Sequence, residues 1–239
     1  MARTILVTGG GTGIGRAVAR HFAAQGDKVF ITGRRPGPIE ELAAETGAHA
    51  VVCDHTCPDH LLRLLDALPE RLDVLVNNAG GNVLFDADGK ADLASYARDF
   101  RANLEANLIS AALTTQAVAD RLAEGGAVVH IGSIAADQGA GSYGAAKAGL
   151  ATWNISLAGE LGARSVTANV VAPGYIADTE FFRDKLTGER RGQLVAATAT
   201  GRHGTPDDVV GAVAFLASPA ARHITGQVLH VNGGAHTTR

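Results

Sequence analysis

Aromatic side chains are scarce in this chain: one Trp, three Tyr and seven Phe make up 5% of its 239 residues. A core built from it must rely on small aliphatic side chains, and its 30 glycines point to many tight turns. Cysteine is scarcer still. Cys53 and Cys57 are too few for a disulfide framework and form no C-x-x-C pair. Asp54 and His55 lie between them, but no second group of ligands appears at zinc-like spacing, so no metal is expected. A reducing cytoplasm is the compartment expected. No charge of one sign dominates: the net charge is −3 and the pI about 6.3. The strongest basic runs are the pairs Arg34-Arg35 and Arg190-Arg191, too short to neutralise a phosphate backbone, so nucleic acid is not an expected partner. No apolar run approaches the ~18 residues of a membrane span. The N-terminus runs straight into a strand, so neither an anchor nor a signal peptide is expected.

What is there is alternation. Short β-rich runs at 4–8 (TILVT), 28–32 (KVFIT), 50–53, 73–77 (DVLVN), 127–131 (AVVHI), 166–171 and 228–231 read as seven strands. Between them the apolar spacing predicts helices over 13–25, 40–46, 59–68, 93–122, 142–161 and 206–217. Strands alternating with helices imply right-handed crossovers and an α/β, Rossmann-type doubly wound parallel sheet with helices on both faces. The length fits a single domain, 1–239, and no repeat or linker breaks it. The one stretch without periodicity, 174–203, is expected to be a substrate lid.

The turn after the first strand is Thr8-Gly9-Gly10-Gly11-Thr12-Gly13-Ile14-Gly15-Arg16. It lacks the G-x-G-x-x-G spacing but has the context that motif needs, a strand before and a helix after. Five glycines in seven residues exceed what a tight turn requires. They fit a backbone that approaches a pyrophosphate, with the helix N-terminus supplying N–H groups and positive potential. In such folds an acidic residue about 20 residues further on binds the ribose diol of NAD, or an Arg takes the 2′-phosphate of NADP. Here Gly33 is followed by Arg34 and Arg35, with no carboxylate, so NADP(H) is expected ahead of NAD(H).

Tyr143 and Lys147 are four apart in a helical segment and share a face. Bringing a Tyr pKa from about 10 toward neutrality requires about 3–4 kcal/mol of preference for the phenolate. A nearby ammonium and a cationic nicotinamide ring are expected to supply it. The Tyr then exchanges a proton with a carbonyl or alcohol oxygen. By itself Y-x-x-x-K occurs by chance in many helices.

It is accompanied, in order, by Thr8-Gly9-x-x-x-Gly13-x-Gly15, by Asn77-Asn78-Ala79-Gly80 and by Pro173-Gly174. Together these resemble the classical short-chain dehydrogenase/reductase family over nearly the whole chain. The ending, Gly201 to Val209, Phe215 to Ser218 and Val231-Asn232-Gly233-Gly234, looks most like the 3-oxoacyl-[acyl-carrier-protein] reductase branch. The resemblance implies an NADP(H)-dependent reductase acting on a small-molecule ketone or 3-oxoacyl-type carbonyl, in a homo-oligomer, dimer or tetramer. It implies that Tyr143 is the acid/base, that Ser133 holds the substrate oxygen, and that Asn107 positions a water in the proton relay. Asn103 competes for that last role, and the distance to Thr115-Gln116-Ala117 favours Asn107. Lys147 is implied to hold the nicotinamide ribose beside Tyr143. The remaining implied cofactor contacts are Gly9, Gly11, Thr12, Gly13 and Ile14 around the pyrophosphate and Arg34 on the 2′-phosphate. Asp54 is implied at the adenine, and Asn78, Ala79 and Gly80 along the adenosine. Pro173, Gly174, Ile176 and Thr179 are implied beside the carboxamide.

The sequence departs from the family pattern twice. Ser133 lies only 10 residues before Tyr143, which shortens the loop between them, and Ser142 is the fallback for the serine role. Thr179 sits one residue late after Pro173-Gly174. Elsewhere, most histidines read as surface or strand-end residues. Trp153, on a helix thinned by Ala145, Ala146, Ala148 and Gly149, reads as packing or subunit contact. Phe181-Phe182 either line a substrate lid or pack within it. Two other readings compete with a reductase: a dinucleotide-binding regulator or scaffold without turnover, and an epimerase or dehydratase. The set Ser133, Asn107, Tyr143 and Lys147 argues against the first. The short stretch after Pro173-Gly174 argues against the second.

Overall fold

Ile5 and Val7 of the first strand, Thr4–Val7 (β1), pack into one hydrophobic cluster, and Leu6 between them packs into another. A strand buried on both faces belongs in the middle of a sheet covered twice. The computed structural model describes residues 2–86, 92–182 and 185–238 and builds that sheet. After β1 come Gly13–Ala24 (α1), Lys28–Gly33 (β2), Pro36–Thr46 (α2), His49–Val52 (β3), Pro58–Ala67 (α3) and Leu72–Asn77 (β4). A 3-10 turn, Val83–Asp86, precedes Leu93–Leu104 (α4) and Ser110–Val118 (α5). Leu122–Ile131 (β5), Ala135–Gln138 (α6), Gly141–Gly162 (α7) and Thr167–Pro173 (β6) follow, then Gly188–Ala196 (α8), Pro206–Leu216 (α9) and Val228–Val231 (β7).

The seven strands lie in the order β3-β2-β1-β4-β5-β6-β7, every neighbouring pair parallel. Val18 and Phe22 of α1, Leu42 of α2 and Val209 and Val213 of α9 cover one face. Leu61 and Leu64 of α3, Val118 of α5 and Leu157 and Leu161 of α7 cover the other. The expected doubly wound sheet is therefore present. Strand order reverses between β1 and β4, which opens a crevice at their carboxyl ends.

The differences from the sequence reading have local causes. The helix predicted over 93–122 is interrupted by a π turn at Glu105–Ile109. There the Asn107 side chain donates to the Asn103 carbonyl at 3.0 Å, the acceptor that an α-helical Asn107 N–H would use. β5 starts at Leu122, five residues early, because Gly125-Gly126 hides a strand that pairs Leu122 with Leu72. α2 starts at Pro36, whose fixed φ suits a first helical turn. The stretch 174–203 contains α8, which buries none of its residues and so shows no apolar stripe.

Two histidines are core residues, not the surface or strand-end groups expected. His55 is buried in the β3–α3 loop, with one ring nitrogen 2.7 Å from the Thr32 hydroxyl and the other 2.7 Å from that of Thr114. His130, on β5, is fully buried with Nδ1 3.1 Å from the Asn77 amide. Burial lowers both pKa values from 6.5, to about 4 for His55 and about 3 for His130. A base whose pKa is lower in the folded chain contributes fully above its unfolded value. That contribution declines as pH falls from 6.5 through the folded value. Thermal melting should therefore show a falling Tm from about pH 7 to about pH 4, each histidine adding a slope of up to about 1.4 kcal/mol per pH unit. His55→Gln should make the fall shallower. A Tm that is flat across this range contradicts the assignment, as does a slope unchanged by the substitution.

Candidate active site

The crevice is built by a clamp between the ends of β1 and β4. The Thr8 hydroxyl accepts the N–H groups of Asn78 and Ala79 at 3.0 and 2.9 Å. The Asn78 side-chain amide donates to the carbonyls of Thr8 and Gly9 at 2.9 and 3.0 Å. Asn78 thus braces the glycine turn instead of extending into the crevice. Within the turn, Gly9 has φ +64°, a left-handed conformation that suits glycine. A Cβ on Gly15 would lie 2.2 Å from the Gly9 carbonyl oxygen, so the start of α1 lies directly on the turn. Thr12, the N-cap of α1, makes no side-chain capping bond, and the first turn carries no acidic residue. That leaves N–H groups and positive potential for an anion, and the cradle fits a dinucleotide pyrophosphate.

The other contacts expected along the crevice fall as follows. Arg34 follows β2, and its charge helps hold the Asp54 carboxyl below the usual range, behind the larger effect of the Thr56 backbone N–H. Asp54 does not end β3, which stops at Val52. It lies in the following loop and accepts the Thr56 N–H at 3.0 Å. Pro173 ends β6, and the Gly174 N–H donates to the Val231 carbonyl at 3.1 Å. Ile176 is buried in the core and forms a bridge to Gly204. Thr179 lies against Gly13, its Cγ2 3.4 Å from where a Cβ there would sit, so the stretch after Pro173-Gly174 reaches the glycine turn despite its late threonine. Sequence reasoning missed one tie across this cleft, the ion pair of Arg35 with Glu180 at 2.6 Å.

Tyr143 and Lys147 lie one turn apart on α7, both buried. The Lys147 ammonium donates to the Ile131 carbonyl at 2.7 Å and lies 5.9 Å from the Tyr143 ring centroid. Ser133 lies near the Tyr143 phenol and favours its ionised form. The short span between them is filled by α6, whose Ala135 carbonyl would be 2.6 Å from a Cβ on Gly144. Ser142, the fallback, accepts from the Asn103 amide at 2.8 Å and turns toward α4. Ser133 is therefore the serine that meets Tyr143. Asn103 is committed to that bond, while Asn107 in the π turn grips Gly81. Its amide donates to the Gly81 carbonyl at 2.9 Å, and its oxygen accepts the Gly81 N–H at 3.0 Å.

The lowering of the Tyr143 pKa expected from the sequence counts on a cationic nicotinamide as well as on Lys147, and the protein's own groups act the other way. Burial pushes the Tyr143 phenol up to about 12, against the lowering effect of Ser133. Burial pulls Lys147 down to about 8.

A family model described as enoyl-(acyl carrier protein) reductase matches residues 9–236. The chain belongs to the short-chain dehydrogenase/reductase family. It is 37% identical to the 3-oxoacyl-[acyl-carrier-protein] reductase FabG of Escherichia coli, over 97% of this chain and 96% of that one. A solved complex of BdcA with NADPH superposes with TM-score 0.82 at 33% identity, covering 97% of this chain and 93% of the other. A 7α-hydroxysteroid dehydrogenase solved with NADH and 7-oxo glycochenodeoxycholic acid gives TM-score 0.85 at 30% identity, with the same coverage. As a short-chain dehydrogenase/reductase the chain is an oxidoreductase that uses a nicotinamide dinucleotide on small molecules. The scaffold reading is set aside. Among the described residues no helix is long and apolar enough to cross a membrane.

The two bonds between Asn107 and Gly81 hold the strand that continues from Ala79 and Gly80. Asn107→Ala should lower kcat/KM for the cofactor by about tenfold to a hundredfold, the effect of about 1–3 kcal/mol of lost bonding. Asn103→Ala should lower it less. Steady-state kinetics compare the two, and equal losses would remove Asn107's special place.

Proposed function

We propose that this enzyme uses NADP(H) to reduce a ketone or 3-oxoacyl-type carbonyl to the alcohol, or to run the reverse reaction, with Tyr143 exchanging the proton. The observation that carries this reading is the placing of Tyr143 and Lys147, both buried, one turn apart on α7, with Ser133 near the phenol. Two hydroxyls side by side can both donate to one carbonyl oxygen. When bound, the cofactor supplies or accepts the hydride. In reduction Tyr143 Oη–H gives its proton to the oxygen as the carbonyl carbon becomes sp³, while Ser133 steadies that oxygen. The Lys147 ammonium, with its pKa near 8, is suited to restoring the proton. Asn107, at the π turn, positions the water through which that proton is replaced.

Gly9, Gly11, Thr12, Gly13 and Ile14 would hold the pyrophosphate. Asp54 would face the adenine, and Ala79 and Gly80 would line the adenosine with Asn78 as their brace. Tyr143 and Lys147 would take the ribose hydroxyls, and Pro173, Gly174, Ile176 and Thr179 the carboxamide side. Arg34 would take the 2′-phosphate. Its position after β2 and the absence of a carboxylate there favour NADP(H). The FabG likeness favours a 3-oxoacyl or similar ketone. Within one domain, residues 174–203 act as the lid over the substrate. The chain works as a homo-oligomer in a reducing cytoplasm: Leu93, Tyr96 and Ile155 are exposed apolar groups on α4 and α7, and both cysteines are free thiols.

Tyr143→Phe should lower kcat for ketone reduction by about 10²–10⁴-fold, far more than it weakens cofactor binding. An unimpaired variant ends the acid/base assignment. Arg34→Ala should raise KM for NADPH by at least about tenfold and leave KM for NADH nearly unchanged, as loss of a charge-assisted phosphate contact predicts. Equal effects on both cofactors rule out the 2′-phosphate contact.

A further inference from the structure

Five of the chain's eleven Phe, Tyr and Trp residues gather at one place, around the reacting phenol. The Phe181 ring lies 5.5 Å from that of Tyr143, centroid to centroid, and 4.9 Å from Phe182. Phe85 lies 5.7 Å from both Phe181 and Phe182, and Tyr175 lies 5.7 Å from Phe182. The rings come from three separate segments. Phe85 belongs to the 3-10 turn after β4, Tyr143 to α7, and the others to the stretch after Pro173-Gly174. Such a convergence in a chain so poor in aromatics is not a by-product of general packing.

Tyr143 and Tyr175 are buried, but Phe85, Phe181 and Phe182 are each only half-buried. Their remaining ring surface is apolar, and Phe181 borders the acid/base, which is how a ligand surface differs from a finished core. Among the described residues, two charged groups beside them have partners. Glu180, the residue before Phe181, is paired with Arg35, and the Lys185 ammonium donates to the Phe85 carbonyl. Glu180 and Arg35 balance each other's charge, and an aromatic or alicyclic substrate would add to the ring cluster.

We infer that the site selects a neutral ring-bearing ketone, aryl or fused alicyclic, whose ring packs on Phe85, Phe181 and Phe182 while its carbonyl meets Tyr143 and Ser133. This rests on the ketone-reductase reading above and narrows it. The substrate's ring takes the place of one neighbour that these rings lack. Specificity then resides in the pair Phe85 and Phe181 more than in the acid/base group. The linear 3-oxoacyl chain is the poorer fit.

The test compares kcat/KM for β-tetralone, ethyl acetoacetate and acetoacetate with NADPH, in wild type, Phe181→Ala, Phe85→Ala and the milder Phe181→Leu. In wild type β-tetralone should exceed ethyl acetoacetate by about tenfold or more, with acetoacetate poorest. Phe181→Ala and Phe85→Ala should each reduce the ratio of β-tetralone to ethyl acetoacetate by about tenfold, mainly through KM, and Phe181→Leu by less. The ratio is insensitive to a general loss of folded enzyme. The inference is overturned if wild type does not prefer the ring ketone, or if the variants lower both ketones by the same factor. If no ketone turns over with NADPH or NADH, the reductase reading fails separately. Saturation-transfer NMR on β-tetralone then decides the ring site. Transfer that is lost in Phe181→Ala upholds it, and equal transfer in wild type and variant overturns it.

Discussion

Four hydrogen bonds among Thr8, Gly9, Asn78 and Ala79 join the ends of β1 and β4, and the site is arranged around that clamp. It sits where strand order reverses, so the crossovers on its two sides diverge and leave a crevice. The clamp works only because Gly9 and Gly15, where the turn and helix meet, carry no side chains. With a Cβ at Gly15, the helix could not approach the Gly9 carbonyl, and its N-terminus would no longer face the crevice. One backbone approach thus brings together the anion-binding helix end and the Asn78–Gly81 strand. Through Asn107 it also brings the π turn that faces Tyr143's helix.

A second constraint is the burial of groups that can ionise. Tyr143, Lys147 and His130 are all buried between β5 and the elements around α7, and each is driven toward its neutral form. Lys147 keeps one strong acceptor, the Ile131 carbonyl, and Ser133 lies near Tyr143. The surroundings of the phenol are dry and apolar, with Phe181 on one side. In such surroundings a proton held at Oη passes directly to an oxygen in contact with it. The same dryness explains why a positive charge from a bound nicotinamide would act strongly there, since little solvent screens it.

Much of this was legible. The seven strands and the glycine turn can be read because period-two and period-3.6 patterns and glycine spacing are local properties of the chain. Tyr143 and Lys147 could be placed together because four residues make about one helical turn. The choice of Ser133 over Ser142, and the separate commitments of Asn103 and Asn107, needed contacts between segments far apart in sequence. So did the burial of His55 and His130, whose flanking residues do not reveal which neighbours enclose them. α8 was missed because an exposed, charged helix has no apolar stripe to betray it.

Local pattern, then, determined the elements, their alternation and the candidate acid/base pair, because helix and strand periods are written into adjacent residues. Tertiary structure alone decided the direction in which the Tyr143 and Lys147 proton affinities move. It alone packed Phe85 and Phe182 on Phe181, and Phe181 on the Tyr143 ring. Desolvation and ring packing depend on what surrounds a group on every side, and most of those surroundings come from residues tens of positions away.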